Sequence, residues 1–65
     1  MDAQHRESFE PAPEVARRLS VSRSKLYAMI QAGEFPKPVR ISENRVAWPS
    51  SAVSAWIASK IAESA

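Results

Sequence analysis

Gly33 is the chain's only glycine, and Pro36 and Pro38 follow it within five residues. A lone glycine at the end of a helical pattern supplies the left-handed residue that closes a helix, and a proline soon after stops the helix from resuming. The helix that ends here also has a marked start. Ser22 is a good N-cap, and Val21 before it and Leu26 four residues inside it form a hydrophobic staple. Leu26, Met29 and Ile30 recur at helical spacing and face a core. The segment from Arg23 to Ala32 is therefore the best-defined element, about 15 Å long at 1.5 Å per residue.

The neighbouring segments are read from this helix outward. Pro11-Ala12-Pro13 precedes an earlier helix with Ala12 at its cap, Pro13 at its first position and Glu14 favourably placed for the helix dipole. Val15, Ala16 and Leu19 share its apolar face, and Arg17 and Arg18 point away, toward solvent or a polyanion backbone. A polar turn at Ser20-Val21 joins the two helices. After Pro38, two short strands are expected around a two-residue loop at Glu43-Asn44 or a longer one. With the short loop, Ser42 faces Arg45, Ile41 faces Val46, Arg40 faces Ala47 and Val39 faces Trp48. Val39, Ile41, Val46 and Trp48 then share one face and Arg40, Ser42, Arg45 and Ala47 the other, solvent side; Asn44 can take positive φ, although Glu43 is a poor choice for a type I′ turn. A last helix starts near Pro49-Ser50-Ser51, with either Pro49 as its first residue or Ser50 as its cap. Val53, Trp56, Ile57, Lys60 and Ile61 follow the spacing of a buried stripe, with the Lys60 stem at its edge, and its end, Ala62 to Ala65, is expected to fray. Trp48 and Trp56 are assigned to the core.

The expected fold is mainly α with a small β-hairpin: three helices in a winged helix-turn-helix spanning residues 11–65, after a flexible tail over residues 1–10. Sixty-five residues allow one domain. A domain this small buries only about 60% of its unfolded surface. Without cysteine it has neither disulfides nor thiolate zinc ligands, so an apolar core must hold it together. No apolar run reaches the roughly 18 residues of a membrane span, and the N-terminus is too polar for a signal peptide. The expectation is a cytoplasmic protein that does not meet a membrane.

Charge is concentrated. The chain carries a formal net charge of +2. Seven basic residues lie from Arg17 to Arg45 against only Glu34 and Glu43, a local +5. The remaining residues carry Arg6 and Lys60 against five acids, a local −3. A basic helix-turn-helix and hairpin suit a polyanion. The helix start Ser22-Arg23-Ser24-Lys25-Leu26-Tyr27 supplies side chains that suit a DNA major groove. Arg23 can fork to guanine or clamp a phosphate. Lys25 suits a phosphate. Ser24 and Tyr27 can bond a phosphate or a base edge, although the Tyr27 ring is equally suited to completing the core. Ser22 is a cap first and a DNA contact second. Lys37, Arg40 and Arg45 complete the candidate DNA-binding set. His5 stands alone in the tail without partner spacing for a metal, no nucleophile–base pair is visible, and one glycine excludes a glycine-rich phosphate loop. Neither an enzyme nor a cofactor is expected.

Taken together, Ser22-Arg23-Ser24-Lys25-Leu26-Tyr27, Ile30, Gly33-Glu34-Phe35-Pro36-Lys37-Pro38-Val39-Arg40-Ile41, Trp48 and Val53-Ser54-Ala55-Trp56-Ile57 resemble AlpA-like prophage regulators. These are grouped with small excisionase and MerR-type winged-helix DNA binders. The resemblance spans about Pro13 to Ile61. It implies a recognition helix at about 22–32 in the major groove, a wing at about 39–48 on backbone or minor groove, and phage-type transcription control. Family wings often carry glycine in the turn, where this chain has Ser42-Glu43-Asn44, and their basic residue often falls one position before Arg45. The implied partner is double-stranded DNA, with integrase or the transcription machinery as further candidates. A monomer is expected in solution, with cooperation on DNA. Two other readings stand beside this one: an excisionase-like recombination directionality factor that bends DNA, and a protein-interaction module that inhibits a regulator or an integrase.

Overall fold

The computed structural model describes residues 8–64. In chain order the elements are β1 (Phe9–Glu10), α1 (Ala12–Leu19), α2 (Arg23–Gln31), β2 (Val39–Ser42), β3 (Arg45–Pro49) and α3 (Ser50–Ser64). Three helices and a small antiparallel sheet of order β1-β3-β2 make a mainly helical fold with a wing-like hairpin, consistent with a winged helix-turn-helix.

Each helix end has a local cause. α1 begins one residue earlier than the sequence suggests, with Pro11 at the cap and Ala12 as the first helical residue. The Pro11 carbonyl accepts from the Glu14 and Val15 amides. The helix closes with Ser20 at φ 60°: the Ser20 amide donates to Arg17 O and the Val21 amide to Ala16 O. α2 closes the same way with Gly33 at φ 77°. There the Gly33 amide donates to Ile30 O and the Glu34 amide to Met29 O, the paired bonds of a Schellman ending. At the start of α2, Ser22 Oγ accepts from the Lys25 amide at 3.1 Å.

The core is formed by Ala12, Val15, Ala16, Leu26, Met29, Phe35, Trp48 and Val53, with Leu19, Val21, Ile30, Trp56 and Ile57 packed against it. Burying a side chain such as Leu26 contributes about 1.5–3 kcal/mol. The segment from Gly33 to Pro38 lacks regular structure but is tied down at three points. Trp48 Nε1 donates to Pro36 O at 2.8 Å, and Trp56 Nε1 donates to Glu34 O at 2.8 Å. The Phe35 ring sits 6.1 Å from the Trp48 ring and 5.1 Å from that of Trp56. The Trp48 indole is fully buried and that of Trp56 partly so, and each pairs its only donor.

Four further expectations need correction. First, Phe9–Glu10 is a strand and not part of a tail: Phe9 pairs with Pro49 and Glu10 with Trp48, and the Ser50 amide donates to Ser8 O at 2.7 Å. The rest of the proposed tail, residues 1–7 with His5 among them, lies outside the described residues.

Second, the hairpin register holds only at its tip. Ser42 pairs with Arg45, but Val39 pairs with Ala47 and Arg40 with Val46, because Ile41 is bulged out of the ladder. No residue of the tip has positive φ, so the turn is not of the primed type that matches strand twist. The bulge takes up that mismatch. Val39, Ile41 and Val46 are consequently exposed, and Ala47 joins Trp48 in being buried.

Third, α3 opens at Ser50 directly after Pro49 ends β3, so Ser50 is helical and Pro49 belongs to the strand. Fourth, the buried stripe of α3 runs out after Ile57. Ile61 is exposed, and Lys60 lies 5.3 Å from the Trp56 ring centroid. The helix stays regular to Ser64, and Ala65 lies outside the described residues.

Candidate nucleic-acid interface

The basic residues divide into those engaged by the chain's own acids and those left free. Arg17 Nη1 donates to both Glu14 carboxylate oxygens at 3.0 Å. Arg18 Nη1 donates to Glu10 Oε2 at 2.6 Å and its Nη2 to Ser54 Oγ at 2.9 Å. Lys60 pairs with Glu63. By contrast, Arg23, Lys25, Lys37, Arg40 and Arg45 have no ion-pair partner among the described residues, and all five are exposed. Among the described residues the free cations therefore fall on the start of α2, on the loop after it and on the hairpin.

Local structure fixes where these side chains start. Ser22 and Lys25 are joined by the cap bond. Arg23 and Ser24 occupy the first two helical positions. Tyr27 is 42% exposed, so its ring does not complete the core. Lys37 stands between Pro38 and Pro36, whose carbonyl is held by Trp48. Arg40 and Arg45 lie near the hairpin tip. Their relation differs from the expected shared face. Arg40 is opposite Val46, one residue along from Arg45, and side chains alternate along a strand. The two arginines therefore leave the ribbon on opposite sides.

Two features escape a sequence reading that follows charge. The outward stripe of α2 includes Ala28 and Gln31, both exposed; the 3.6-residue period that identifies the core face would have found them. Arg18 is spent within the fold, through a partner eight residues away that only the β1 strand brings near.

A family comparison decides what this arrangement belongs to. Residues 12–61 match the family model described as "Prophage CP4-57 regulatory protein (AlpA)". The chain belongs to the AlpA family of phage regulatory proteins. The matched range runs from the first residue of α1 into the last turns of α3, so the AlpA region includes both helices of the helix-turn-helix, the hairpin and most of α3. The chain is also similar to a protein of Enterobacteria phage P4, "Uncharacterized protein ORF88", with 45% identity over 56 residues. That match covers 86% of this chain and 64% of the phage P4 protein, so the chain spans under two thirds of this relative's length. No solved structure matches. No helix among the described residues is long and apolar enough to cross a membrane.

Proposed function

We propose that this AlpA-family chain is a sequence-specific double-stranded DNA-binding protein acting as a phage-type transcription regulator. In this reading α2 enters the major groove, and the β2–β3 hairpin rests on the backbone or in the adjacent minor groove. One observation carries the reading: five exposed cations without acidic partners lie on α2, its following loop and the hairpin, whereas Arg17, Arg18 and Lys60 are paired within the chain. Unpaired cations cost little to bring to phosphates, because no internal ion pair must first be broken.

Arg23 and Lys25 flank the start of α2 and serve as phosphate clamps. Ser22, Ser24 and Tyr27 add hydroxyl donors at the same end. Lys37 extends the charge between helix and hairpin. Arg40 and Arg45, leaving the ribbon on opposite sides, each meet a phosphate or the wall of a narrow groove. No catalytic step and no cofactor enter this account. The protein acts in the cytoplasm, as a monomer that can cooperate with neighbouring copies on DNA.

A DNase footprint on the DNA flanking the chain's own gene tests this. One protected operator supports a regulator. Several adjacent protected sites filled together support an excisionase-like directionality factor. No protection at low salt contradicts DNA binding.

A second reading has an observation of its own. Phe9, Ile41 and Val46 are about half exposed and line a depression with Pro11, Arg45 and Ala47. An apolar patch on the sheet suits a protein contact, with integrase or the transcription machinery as partner. Binding to such a partner with little salt dependence, and none to duplex DNA, would favour it.

A further inference from the structure

The outer face of α2 is not its most basic face. Successive residues turn by about 100° around a helix with 3.6 residues per turn. Leu26 and Met29 are buried and Ile30 half-buried, which sets the inner side. Directly opposite lie Ser24, Ala28 and Gln31, all exposed, with Tyr27 beside them. Arg23 falls close to the direction of Ile30, and Lys25 close to that of Met29. The two cations therefore border the helix, and small or neutral polar side chains occupy its crest.

That distribution separates two tasks. A cation gains as much from a phosphate as from a base. A neutral amide gains little from a phosphate and most from a surface offering one donor and one acceptor side by side. Adenine presents this pair in the major groove as N6 and N7, and glutamine matches both. The Gln31 side chain makes no hydrogen bond with another described residue, so its amide is free to pair. Ala28 is small enough to let the helix approach closely, and its methyl suits the thymine methyl. Residues three apart on a helix have Cβ atoms about 5–6 Å apart, against about 3.4 Å per base step, so the two reach base pairs one or two steps apart. From Ser24 to Gln31 the crest rises about 10.5 Å, within a groove roughly 12 Å wide.

We infer, on the reading that α2 enters the major groove, that Gln31 is a specificity-determining residue that selects adenine. Ala28 then lies against the thymine methyl of a base pair one or two steps away. The target carries A·T pairs under the C-terminal half of α2, and the cations at its start set affinity more than sequence.

Selection from a randomised duplex pool tests this with the wild-type chain, Gln31→Ala and Gln31→Glu. The wild type should enrich adenine at one position. Gln31→Ala should lose that preference, bind the selected duplex roughly 5- to 150-fold more weakly, and keep its affinity for random duplex. Gln31→Glu should move the preference to cytosine, whose N4 amine donates to a carboxylate. Replacing the neighbouring thymine by uracil should weaken the wild type several-fold and leave Ala28→Ser insensitive. Thermal melts should match throughout the Gln31 variants, because the position is exposed and alanine favours helix. The inference is overturned if Gln31→Ala selects the wild-type site with undiminished discrimination, or if the wild type binds duplexes without sequence preference while DNA binding itself stands. If the wild type binds no duplex at low salt, the DNA-binding reading falls and takes the inference with it.

Discussion

Arg18 reaches from α1 to Glu10 on β1, donating to Oε2 at 2.6 Å. The same guanidinium donates to Ser54 Oγ on α3, so one side chain ties together three elements. Glu10 is only 18% exposed, and its other carboxylate oxygen is buried without a partner. Removing Arg18 would leave that carboxylate unsupported. Arg18→Ala should therefore destabilise the fold by about 1–3 kcal/mol while leaving the salt dependence of DNA binding unchanged. Chemical denaturation and a binding titration check the two halves separately. A lost phosphate contact without lost stability would add Arg18 to the DNA-binding set.

Trp48 is fully buried and holds the Pro36 carbonyl through its indole. Trp48→Ala should cost roughly 3–5 kcal/mol by opening a cavity, enough to abolish folding in so small a domain. A far-UV thermal melt like that of the wild type would contradict this place for Trp48 in the core.

The two left-handed helix ends should respond in opposite directions. Gly33 sits at φ 77° with open space where a Cβ would go, so Gly33→Ala meets only backbone strain and should destabilise by about 1 kcal/mol. Ser20 already carries that strain at φ 60°. Ser20→Gly should be neutral or stabilise by up to about 1 kcal/mol, the relief being offset partly by added freedom in the unfolded chain. Paired urea melts decide, and a clearly destabilising Ser20→Gly would count against the conformation described for the turn.

In the proposed reading the hairpin contacts DNA through Arg40 and Arg45. Their joint replacement by alanine should weaken binding to selected and random duplexes by similar factors. It should also reduce the salt slope by about two, roughly one for each lost phosphate contact. Both are exposed, so stability should change by less than about 0.5 kcal/mol. Normal binding by the double variant would remove the hairpin from the interface.

What could be read from sequence followed the range of the signals. What fixes α2 is local: the Ser22 cap and Gly33 lie within 12 residues, and both appear where expected. The places of Trp48 in the core and Trp56 against it were legible from size and spacing. The hairpin register was not, because it depends on the backbone of the turn: without a positive-φ residue at Glu43–Asn44, Ile41 is expelled and every pair above it shifts. Nor was β1, whose two residues form a strand only because β3 offers them an edge from far along the chain. At the candidate site, attention to charge found Arg23 and Lys25 but passed over Ala28 and Gln31, although the same helical period placed them opposite Leu26.

The most direct test of the account is the salt dependence of binding to duplex DNA. If Arg23, Lys25, Lys37, Arg40 and Arg45 together neutralise about four or five phosphates, the logarithm of the binding constant should fall against the logarithm of salt concentration with a slope of roughly −3.6 to −4.5. A slope near zero, or no binding to duplex at low salt, would contradict the claim that these five unpaired cations form a DNA-binding surface.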